Sequence, residues 1–414
     1  MAVNEREIVL DSLIEILEKN RFSHVIEKAV LDKYDYLDNK QKAFIKRMCE
    51  GTIENLIVID GVIDSFSKVK VAKQKPVIRN ILRLSVYQIL YMDKVPDSAV
   101  CNEAVKLSGK RGFRSLSGFV NGVLRNISRN KDRIDIAGDA MPEWIKEHLI
   151  NSYGQEKAAL IIDDINKEHP VTIRIRDNKP VGEYEGLNKV SEMDNVYTLS
   201  KGTSPADIEG YDNGRFTVQD IASIEAVMHA GISKGDTVLD VCAAPGGKSV
   251  LAYDFGAKVI SRDISDYKVS LIDENINRCG ISTDPSDERY IISQVHDATV
   301  FDESLAEKID VLIADLPCSG LGVMGRKSDI KHKTNVEDLD TLPILQRQII
   351  DTVVKYVKKG GVLMYSTCTM NPKENEEQAE YITSAYPFKI EYEKQFLPGI
   401  DGTDGFYIAK LRRI

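Results

Sequence analysis

Two cysteines of this 414-residue chain each follow a short apolar segment and lie in a polar turn. Cys318 belongs to the segment ADLPCSG, after the apolar run Ile309–Ala314, and Cys368 belongs to MYSTCT, fifty residues further on. A cysteine often serves only as a small buried hydrophobe. Here proline, glycine, serine and threonine surround both thiols, which favours accessible and reactive positions at the ends of strands.

The segment CAAPGGK, Cys242–Lys248, is a second candidate for chemistry. It follows an apolar run and precedes a helical pattern, and its small residues allow backbone N–H groups to approach a ligand at a helix N-terminus. It fits neither the dinucleotide pattern GxGxxG nor the P-loop pattern GxxxxGK[ST]. A glycine turn of this kind would be a weak indication if it stood alone.

Acidic residues follow the next two predicted strands. Asp263 ends the second strand, where an acid binds the ribose diol in nucleotide-binding α/β sheets, and Asp297 follows the third. One such acid is usually only solvated. Three consecutive strand ends with glycines or acids favour an adenosine-containing ligand along that edge of the sheet.

Thiols beside an adenosine-containing cofactor suggest methyl transfer to a pyrimidine. Carbon 5 is a poor nucleophile until a thiolate adds to carbon 6, after which it can accept a methyl group from S-adenosylmethionine. The proton on carbon 5 and the thiol must then leave, which gives a second polar group a role. Asp315 is placed to bond N3 and N4 of the base. The local residues do not rank the two cysteines.

An alternation of strands and helices from residue 216 onwards would position these groups. The predicted strands are Thr237–Val241, Lys258–Arg262, Tyr290–Val295, Ile309–Asp315 and Gly361–Ser366. Helices between them include Tyr267–Arg278 and Leu342–Val357, and TDGFYIAKL adds a strand at or beside the sheet edge. The pattern indicates a mostly parallel, doubly wound sheet, with ligands at the carboxyl ends of its strands. We therefore expect both cysteines to face one cleft.

The first part of the chain differs in pattern and in charge. Residues 1 to about 135 show helical spacing of apolar positions, and the region that follows, with VTIRIRD as a strand, indicates a small α/β connector. The net charge is −9, yet residues 1–140 hold 24 Lys/Arg against 19 Asp/Glu. Lys68–Arg133 alone holds 15 basic and 4 acidic residues, which favours a polyanion-binding surface over an ordinary solvated face.

Composition narrows the class of protein further. The apolar stretches are strand-sized and the N-terminus lacks a signal-peptide pattern, so we expect no membrane span and a cytosolic location. Six scattered cysteines without a CxxC pair indicate reduced thiols. Neither these nor the six histidines form a ligand pattern, so we predict no metal site. We expect the protein to act as a monomer.

Three segments, in this order and spacing, carry a family resemblance. CAAPGGKS, DLPCSGLGV and YSTCTMNPKENEEQ resemble motifs I, IV and VI of the NOL/NOP2/Sun RNA cytosine-C5 methyltransferases. The helical region, with VCNEAVKLS and GFVNGVLR, is similar to the NusB-like RNA-binding domain. Over essentially the whole chain, the resemblance implies a multidomain fold class: an all-α NusB-like domain (1–138), a small α/β connector (139–215) and an α/β Rossmann-like methyltransferase domain dependent on S-adenosylmethionine (216–414).

The resemblance also implies roles for individual residues. Cys368 is the nucleophile, Cys318 assists product release, and Asp315 positions the base. S-adenosylmethionine is expected at the following residues: Cys242, Ala243, Ala244, Pro245, Gly246, Gly247, Lys248, Asp263, Asp297 and Asp315. The sequence departs from the family pattern in the following residues, which bear on substrate contacts: Ile221, Leu316, Ser328 and His332. In NPKENEEQ, the acids predict a helix start near the N-terminal dipole.

The predicted activity is methylation of carbon 5 of a cytosine in 16S rRNA, as naked rRNA or in an assembling small subunit. One alternative is a tRNA cytosine-C5 methyltransferase with the same catalytic domain. Another is an RNA-binding protein whose catalytic domain is silent. The intact cysteines, Asp315 and glycine loop weigh against the silent form.

Overall fold

The structure of the chain is a computed structural model that describes residues 4–136, 140–167, 169–176, 187–190 and 193–414. Its helices are α1 Glu5–Leu17, α2 Ser23–Lys33, α3 Asn39–Glu54, α4 Leu56–Phe66, α5 Pro76–Tyr91, α6 Asp97–Lys110, α7 Ser117–Asn130, α8 Glu143–Tyr153, α9 Gln155–Ile165, α10 Ile221–Ala230, α11 Gly247–Asp254, α12 Asp266–Arg278, α13 Ile330–Lys333, α14 Asp338–Val353 and α15 Glu376–Ala385. Its strands are β1 Thr172–Ile175, β2 Leu187–Lys189, β3 Val196–Leu199, β4 Phe216–Val218, β5 Thr237–Asp240, β6 Lys258–Asp263, β7 Ile291–Val295, β8 Ile309–Asp315, β9 Val357–Thr367, β10 Phe388–Phe396 and β11 Phe406–Arg413.

Contacts within the chain define two compact units. The helical unit comprises Met1–Lys146 with Lys327–Lys333. The second unit comprises Glu147–Arg326 with Thr334–Ile414 and is named the catalytic unit because it holds the predicted catalytic residues. The predicted division into three domains stays a prediction, and its boundary at residues 138 and 139 falls outside the described residues. Within the described ranges, no helix is long and apolar enough to cross a membrane.

The helical unit is built around one apolar core, to which α1, α5 and α7 contribute fully buried side chains such as Leu13, Ile81 and Leu124. Local signals define its helix ends. Asp38 and Gln41 form a reciprocal capping box at the start of α3. Pro76 occupies the first turn of α5, where the missing N–H is not needed. The all-helical prediction for this region is confirmed.

A short segment from the second half of the chain, Lys327–Lys333, also belongs to the helical unit. Asp329 is buried there and accepts hydrogen bonds from the backbone N–H of Ser23 at 2.9 Å and from its hydroxyl at 2.8 Å. His332 lies 2.8 Å from the Ile53 carbonyl oxygen, and burial lowers the pKa of His332 to about 4. No sequence pattern predicted this grouping, because it depends on contacts between residues about 300 positions apart.

The catalytic unit contains a small antiparallel sheet and a large mixed one. The small sheet has the order β2-β3-β1-β4, and β1 occupies the centre of the predicted strand VTIRIRD. The large sheet has the order β10-β11-β9-β8-β5-β6-β7, with β5 to β9 parallel and the last two strands antiparallel. The chain runs outward from β5 to β7 and then returns to β8 beside β5. This order places a topological switch point between β5 and β8, where α/β sheets bind ligands.

The predicted parallel strands are all present, with small shifts at their ends, and TDGFYIAKL forms β11 beside the edge strand. The edge strand β10 was not predicted, although FKIEYEKQF alternates apolar and charged residues as an edge strand does. Helix α14 begins at Asp338, before the predicted Leu342, so Pro343 lies in its interior and not in its first turn. The Leu339 carbonyl, which Pro343 cannot bond, accepts a hydrogen bond from Asn371 Nδ2 at 3.2 Å. A distant side chain thus compensates for the proline.

Candidate active site

The glycine loop follows β5 and opens α11. Gly246 has a φ of 101°, which favours glycine, and a Cβ there would meet Ile272 Cγ2 at 3.4 Å. Ala243 donates its backbone N–H to the Arg262 carbonyl at 2.9 Å, and Asn275 Nδ2 donates to the Pro245 carbonyl at 2.8 Å. The loop is therefore fixed against β6 and α12, with the N-terminus of α11 directly after it.

The two predicted acids of this edge lie in different surroundings. Asp263 is buried and accepts backbone N–H bonds from Ala244 at 3.0 Å and Ile264 at 2.8 Å, with Lys268 Nζ at 3.0 Å. Asp297 is exposed after β7 and accepts bonds from the Thr299 backbone and hydroxyl, which lower the pKa of Asp297. The structure brings Asp263 to the glycine loop. Asp297 follows β7, which β6 separates from the strand that leads into that loop.

Sequence reasoning missed Asp240, the last residue of β5. Its side chain is buried, and its Oδ2 accepts a hydrogen bond from Ser249 Oγ of α11 at 2.8 Å. Its Oδ1 has no hydrogen-bond partner among the described residues, and burial raises the pKa of Asp240 to about 7. The signal was an acid at the end of the apolar run TVLD, directly before the glycine loop.

Asp315 at the end of β8 connects the glycine loop with β9. Its Oδ2 accepts a charged hydrogen bond from Lys248 Nζ at 2.6 Å, and its Oδ1 accepts one from Ser366 Oγ at 2.9 Å. Burial acts to lower the pKa of Lys248, but the charge and hydrogen bond of Asp315 outweigh it and the pKa is raised. The ammonium also lies 5.3 Å from the centre of the Phe406 ring, a contact that the sequence did not predict.

The structure brings the two predicted thiols together. The Sγ atoms of Cys318 and Cys368 are 3.4 Å apart, a hydrogen-bonding separation that is too long for a disulfide. The backbones beside them are joined as well, because Leu316 N–H donates to the Ser366 carbonyl and Gly322 N–H donates to the Cys368 carbonyl, both at 3.0 Å. The adjacent strand ends thus form one rigid platform that presents both thiols.

The charges around the two thiols differ. The pKa of Cys318 is raised well above its usual range, first by its hydrogen bond with Cys368 and then by burial, and the negative charges of Glu374 and Asp315 act in the same direction. Cys368 in turn contributes to the raised pKa of Lys248, so the ammonium and this thiol act on one another. Burial also raises the pKa of Cys242 in the glycine loop, which argues for a packing role for that thiol.

The departures from the family pattern divide between the two units. Leu316 is buried in the apolar core of the large sheet. Ile221 is the first residue of α10, whose N-cap Asp220 accepts a bond from Ala222 N–H at 2.9 Å. Ser328 and His332 belong to the helical unit. Within the described ranges, no three His, Cys, Asp or Glu side chains are grouped as metal ligands.

Two family models match separate parts of the chain. The model described as 16S rRNA methyltransferase RsmB/F matches residues 228–412, and that of the NusB family matches residues 3–129. A crystal structure of a protein designated PH0851 is similar over the full length of both chains, with a TM-score of 0.83 at 20% identity. That of NSun6 from Pyrococcus horikoshii with SFG covers 66% of this chain and 99% of its own, with a TM-score of 0.57 at 20% identity. At this identity, both neighbours establish the fold alone.

Fold and site together define a Rossmann-like methyltransferase with a NusB-like helical region. The "probable ribosomal RNA small subunit methyltransferase B" of Bacillus subtilis (strain 168) is 31% identical over 99% of this chain and 98% of its own. The "ribosomal RNA small subunit methyltransferase B" of Enterobacter sp. (strain 638) is 27% identical over the same shares. The chain therefore belongs to the RsmB/F methyltransferase family. Its cofactor is S-adenosylmethionine, as predicted.

Proposed function

We propose that this protein methylates carbon 5 of a cytosine in the 16S RNA of the small ribosomal subunit. The observation that carries the proposal is the pair of thiols, 3.4 Å apart, beside the Asp315 carboxylate and next to the glycine loop. A methyltransferase that modifies a nitrogen or a ribose oxygen has no need of two thiols. The names of the curated relatives, which refer to ribosomal RNA of the small subunit, support the choice of substrate.

The strand ends beside the switch point fit S-adenosylmethionine, which supplies an electrophilic methyl group on a cationic sulfur. The negative charges of Asp315 and Asp263 contribute to the raised pKa of Asp240, so three carboxylates lie near one another here, and negative charge suits a sulfonium. The unpartnered Oδ1 of Asp240 can accept a hydrogen bond from a donor on the ligand. The residues proposed to hold the cofactor are the glycine loop, Cys242–Lys248, with Asp263, Asp297 and Asp315.

Cys368 is proposed as the nucleophile that adds to carbon 6 of the base. The Lys248 ammonium favours its thiolate, and the Cys318 thiol, whose pKa is raised, can donate a hydrogen bond to it. The electron pair of the adduct then makes carbon 5 nucleophilic enough to accept the methyl group. Asp315 bonds the polar edge of the cytosine and fixes its orientation.

Cys318 is proposed to assist release. The proton on carbon 5 passes to water, the electron pair of that C–H bond re-forms the double bond between carbons 5 and 6, and the carbon–sulfur electron pair leaves with Cys368 as a thiolate. A hydrogen bond from the Cys318 S–H stabilises this departing sulfur, because a thiol of raised pKa keeps its proton. The two thiols therefore have unequal roles, although they are in contact.

The helical unit is proposed to bind the RNA backbone. Lys73, Lys75 and Arg129 are exposed, and within the described part of the chain none of them forms an ion pair. Such cations release counterions on binding phosphates, which gives affinity without sequence selectivity. The target cytosine must leave its stack before a thiol can reach carbon 6.

Transfer of a labelled methyl group from S-adenosylmethionine tests this function. The protein is incubated with 16S rRNA, with 30S particles and with tRNA, and labelled nucleosides are identified after digestion. We expect 5-methylcytosine in 16S rRNA. Label in tRNA alone would favour a tRNA methyltransferase, and RNA binding without any transfer would favour a protein with a silent catalytic domain.

A further inference from the structure

The carboxylate of Glu374, which lies within the segment that resembles motif VI, is completely buried beneath the turn that carries Cys318. It accepts hydrogen bonds from the Ser319 backbone N–H at 2.8 Å and the Ser319 hydroxyl at 2.5 Å. It also accepts bonds from Asn371 Nδ2 at 3.0 Å and Gln346 Nε2 at 3.3 Å. Burial of a carboxylate costs free energy of folding unless hydrogen-bond donors surround it. These four donors therefore stabilise a charged group at this position.

These donors hold the peptide on both sides of Cys318. Ser319 follows the cysteine, and Gln346 Nε2 also donates to the carbonyl of Pro317, which precedes it, at 2.9 Å. The Ser319 hydroxyl lies 2.6 Å from the Thr369 hydroxyl, next to Cys368. Glu374 therefore anchors a network that fastens the Cys318 turn to the strand end that carries Cys368.

The hydroxyl hydrogen bonds of this network run towards the Glu374 carboxylate. A carboxylate only accepts, so the Ser319 hydroxyl donates to Glu374 and the Thr369 hydroxyl donates to Ser319. Burial raises the pKa of Glu374, and the bonds from Ser319 and Asn371 oppose that rise. A negative charge at this position also favours the protonated form of the Cys318 thiol.

We propose that Glu374 is a positioning residue for the release step: it holds Cys318, as a protonated thiol, in hydrogen-bonding contact with Cys368. This inference rests on the proposed function, because it assigns Glu374 to the thiol that assists product release. Without the anchor, the turn relaxes and Cys318 no longer stabilises the departing sulfur. Addition of Cys368 to the base depends less on this contact, because the Lys248 ammonium also acts on Cys368.

The test compares four variants of the full chain: Glu374→Gln, Ser319→Ala, Cys318→Ala and the exposed control Glu377→Gln. Each is incubated with labelled S-adenosylmethionine and 16S rRNA. Turnover is measured as methyl transfer to the RNA, and the covalent enzyme–RNA adduct is measured on denaturing gels. For Glu374→Gln, we expect turnover to fall by about 10- to 100-fold, the scale of a small misplacement of reacting groups, while the adduct accumulates as in Cys318→Ala. Ser319→Ala should change both quantities in the same direction by less. Glu377→Gln should behave as wild type.

The readouts separate a positioning role from a structural one. A merely structural role would lower turnover and adduct together, and that result would overturn the proposal. If Glu374→Gln does not fold, Ser319→Ala, which keeps the carboxylate and removes one hydroxyl, decides between these results. If Cys318→Ala itself forms no adduct, the proposed function fails. If Cys318→Ala accumulates adduct and neither Glu374→Gln nor Ser319→Ala does, the inference about Glu374 alone fails.

Discussion

Two acids of this protein, one in each unit, have opposite surroundings. In the catalytic unit, Glu374 is fully buried and four hydrogen-bond donors surround it. In the helical unit, Glu27 is half-buried and makes no hydrogen bond to any residue that the structure describes. Burial raises the pKa of both, that of Glu27 to about 7. Burial and a raised pKa alone therefore do not distinguish an acid held by donors, such as Glu374, from one that lacks them, such as Glu27.

The comparison extends to the cations. Lys248 in the catalytic unit is held by Asp315 at 2.6 Å, beside the thiols. The exposed cations Lys73, Lys75 and Arg129 of the helical unit have no such fixed partner among the described residues. Fixed charge suits the stabilisation of reacting atoms, and mobile surface charge suits a phosphate backbone. The predictions below test this difference.

The largest effect is expected for Asp315→Asn in the catalytic unit. The change keeps the shape of the side chain but removes the charge that holds Lys248 and replaces one of the two acceptor oxygens with an N–H donor. We expect turnover to fall by about 100- to 1000-fold, as for the loss of one preorganised electrostatic group. Single-turnover methyl transfer measures it, with the exposed Glu377→Gln as the control. A fall below threefold would show that Asp315 is not part of the reacting site.

An intermediate effect is expected for the triple change Lys73→Gln, Lys75→Gln and Arg129→Gln in the helical unit. Each lost phosphate contact should lower the slope of log affinity against log salt by about 0.7–0.9. Filter binding of 16S rRNA at several salt concentrations measures this slope. An unchanged slope would place the RNA contacts elsewhere. Turnover at saturating RNA should remain as in wild type.

The smallest effect is expected for Glu27→Gln, and it concerns stability alone. The pKa of Glu27 is raised to about 7 in the folded chain, so this group favours the folded state at low pH, and that contribution is lost as the pH rises from about 4.5 through 7. Because the group is partly solvated, we expect Glu27→Gln to gain only about 1–2 kcal/mol over wild type at pH 8 and nothing at pH 4.5.

Unfolding of full-length protein by denaturant at both pH values measures this difference, with the exposed Glu54→Gln as the control. Methyl transfer should be unchanged in both variants. Equal stability of Glu27→Gln and wild type at pH 8 would contradict the assignment of an unsatisfied acid to the helical unit.

The sequence predicted best those features whose place in the fold follows from the local sequence pattern. Apolar periodicity predicted the parallel strands, and the polar turns after two of them predicted that Cys318 and Cys368 meet. A helix start in NPKENEEQ was also predicted, and α15 begins within that segment at Glu376. That pattern did not reveal that Glu374 turns inward beneath Ser319, because capping acids and buried acids look alike in sequence.

The remaining features depend on long-range partners that periodicity does not encode. Asp329 is bound to the helical unit by a hydrogen bond from Ser23. Asn371 donates a hydrogen bond to the carbonyl in α14 that Pro343 cannot bond. Leu316 is buried among residues of several strands, and Phe406 meets Lys248, which is distant in the sequence. The ranking of the two thiols was likewise open in the sequence, and it rests on family resemblance and on the charges of Lys248 and Glu374.

The most direct test of the account is the fate of the covalent adduct in the two cysteine variants. Purified Cys318→Ala and Cys368→Ala are each incubated with S-adenosylmethionine and 16S rRNA and then resolved on a denaturing gel. The account predicts a stable enzyme–RNA adduct with Cys318→Ala, and neither adduct nor methylated cytosine with Cys368→Ala. An adduct with Cys368→Ala and none with Cys318→Ala would contradict it.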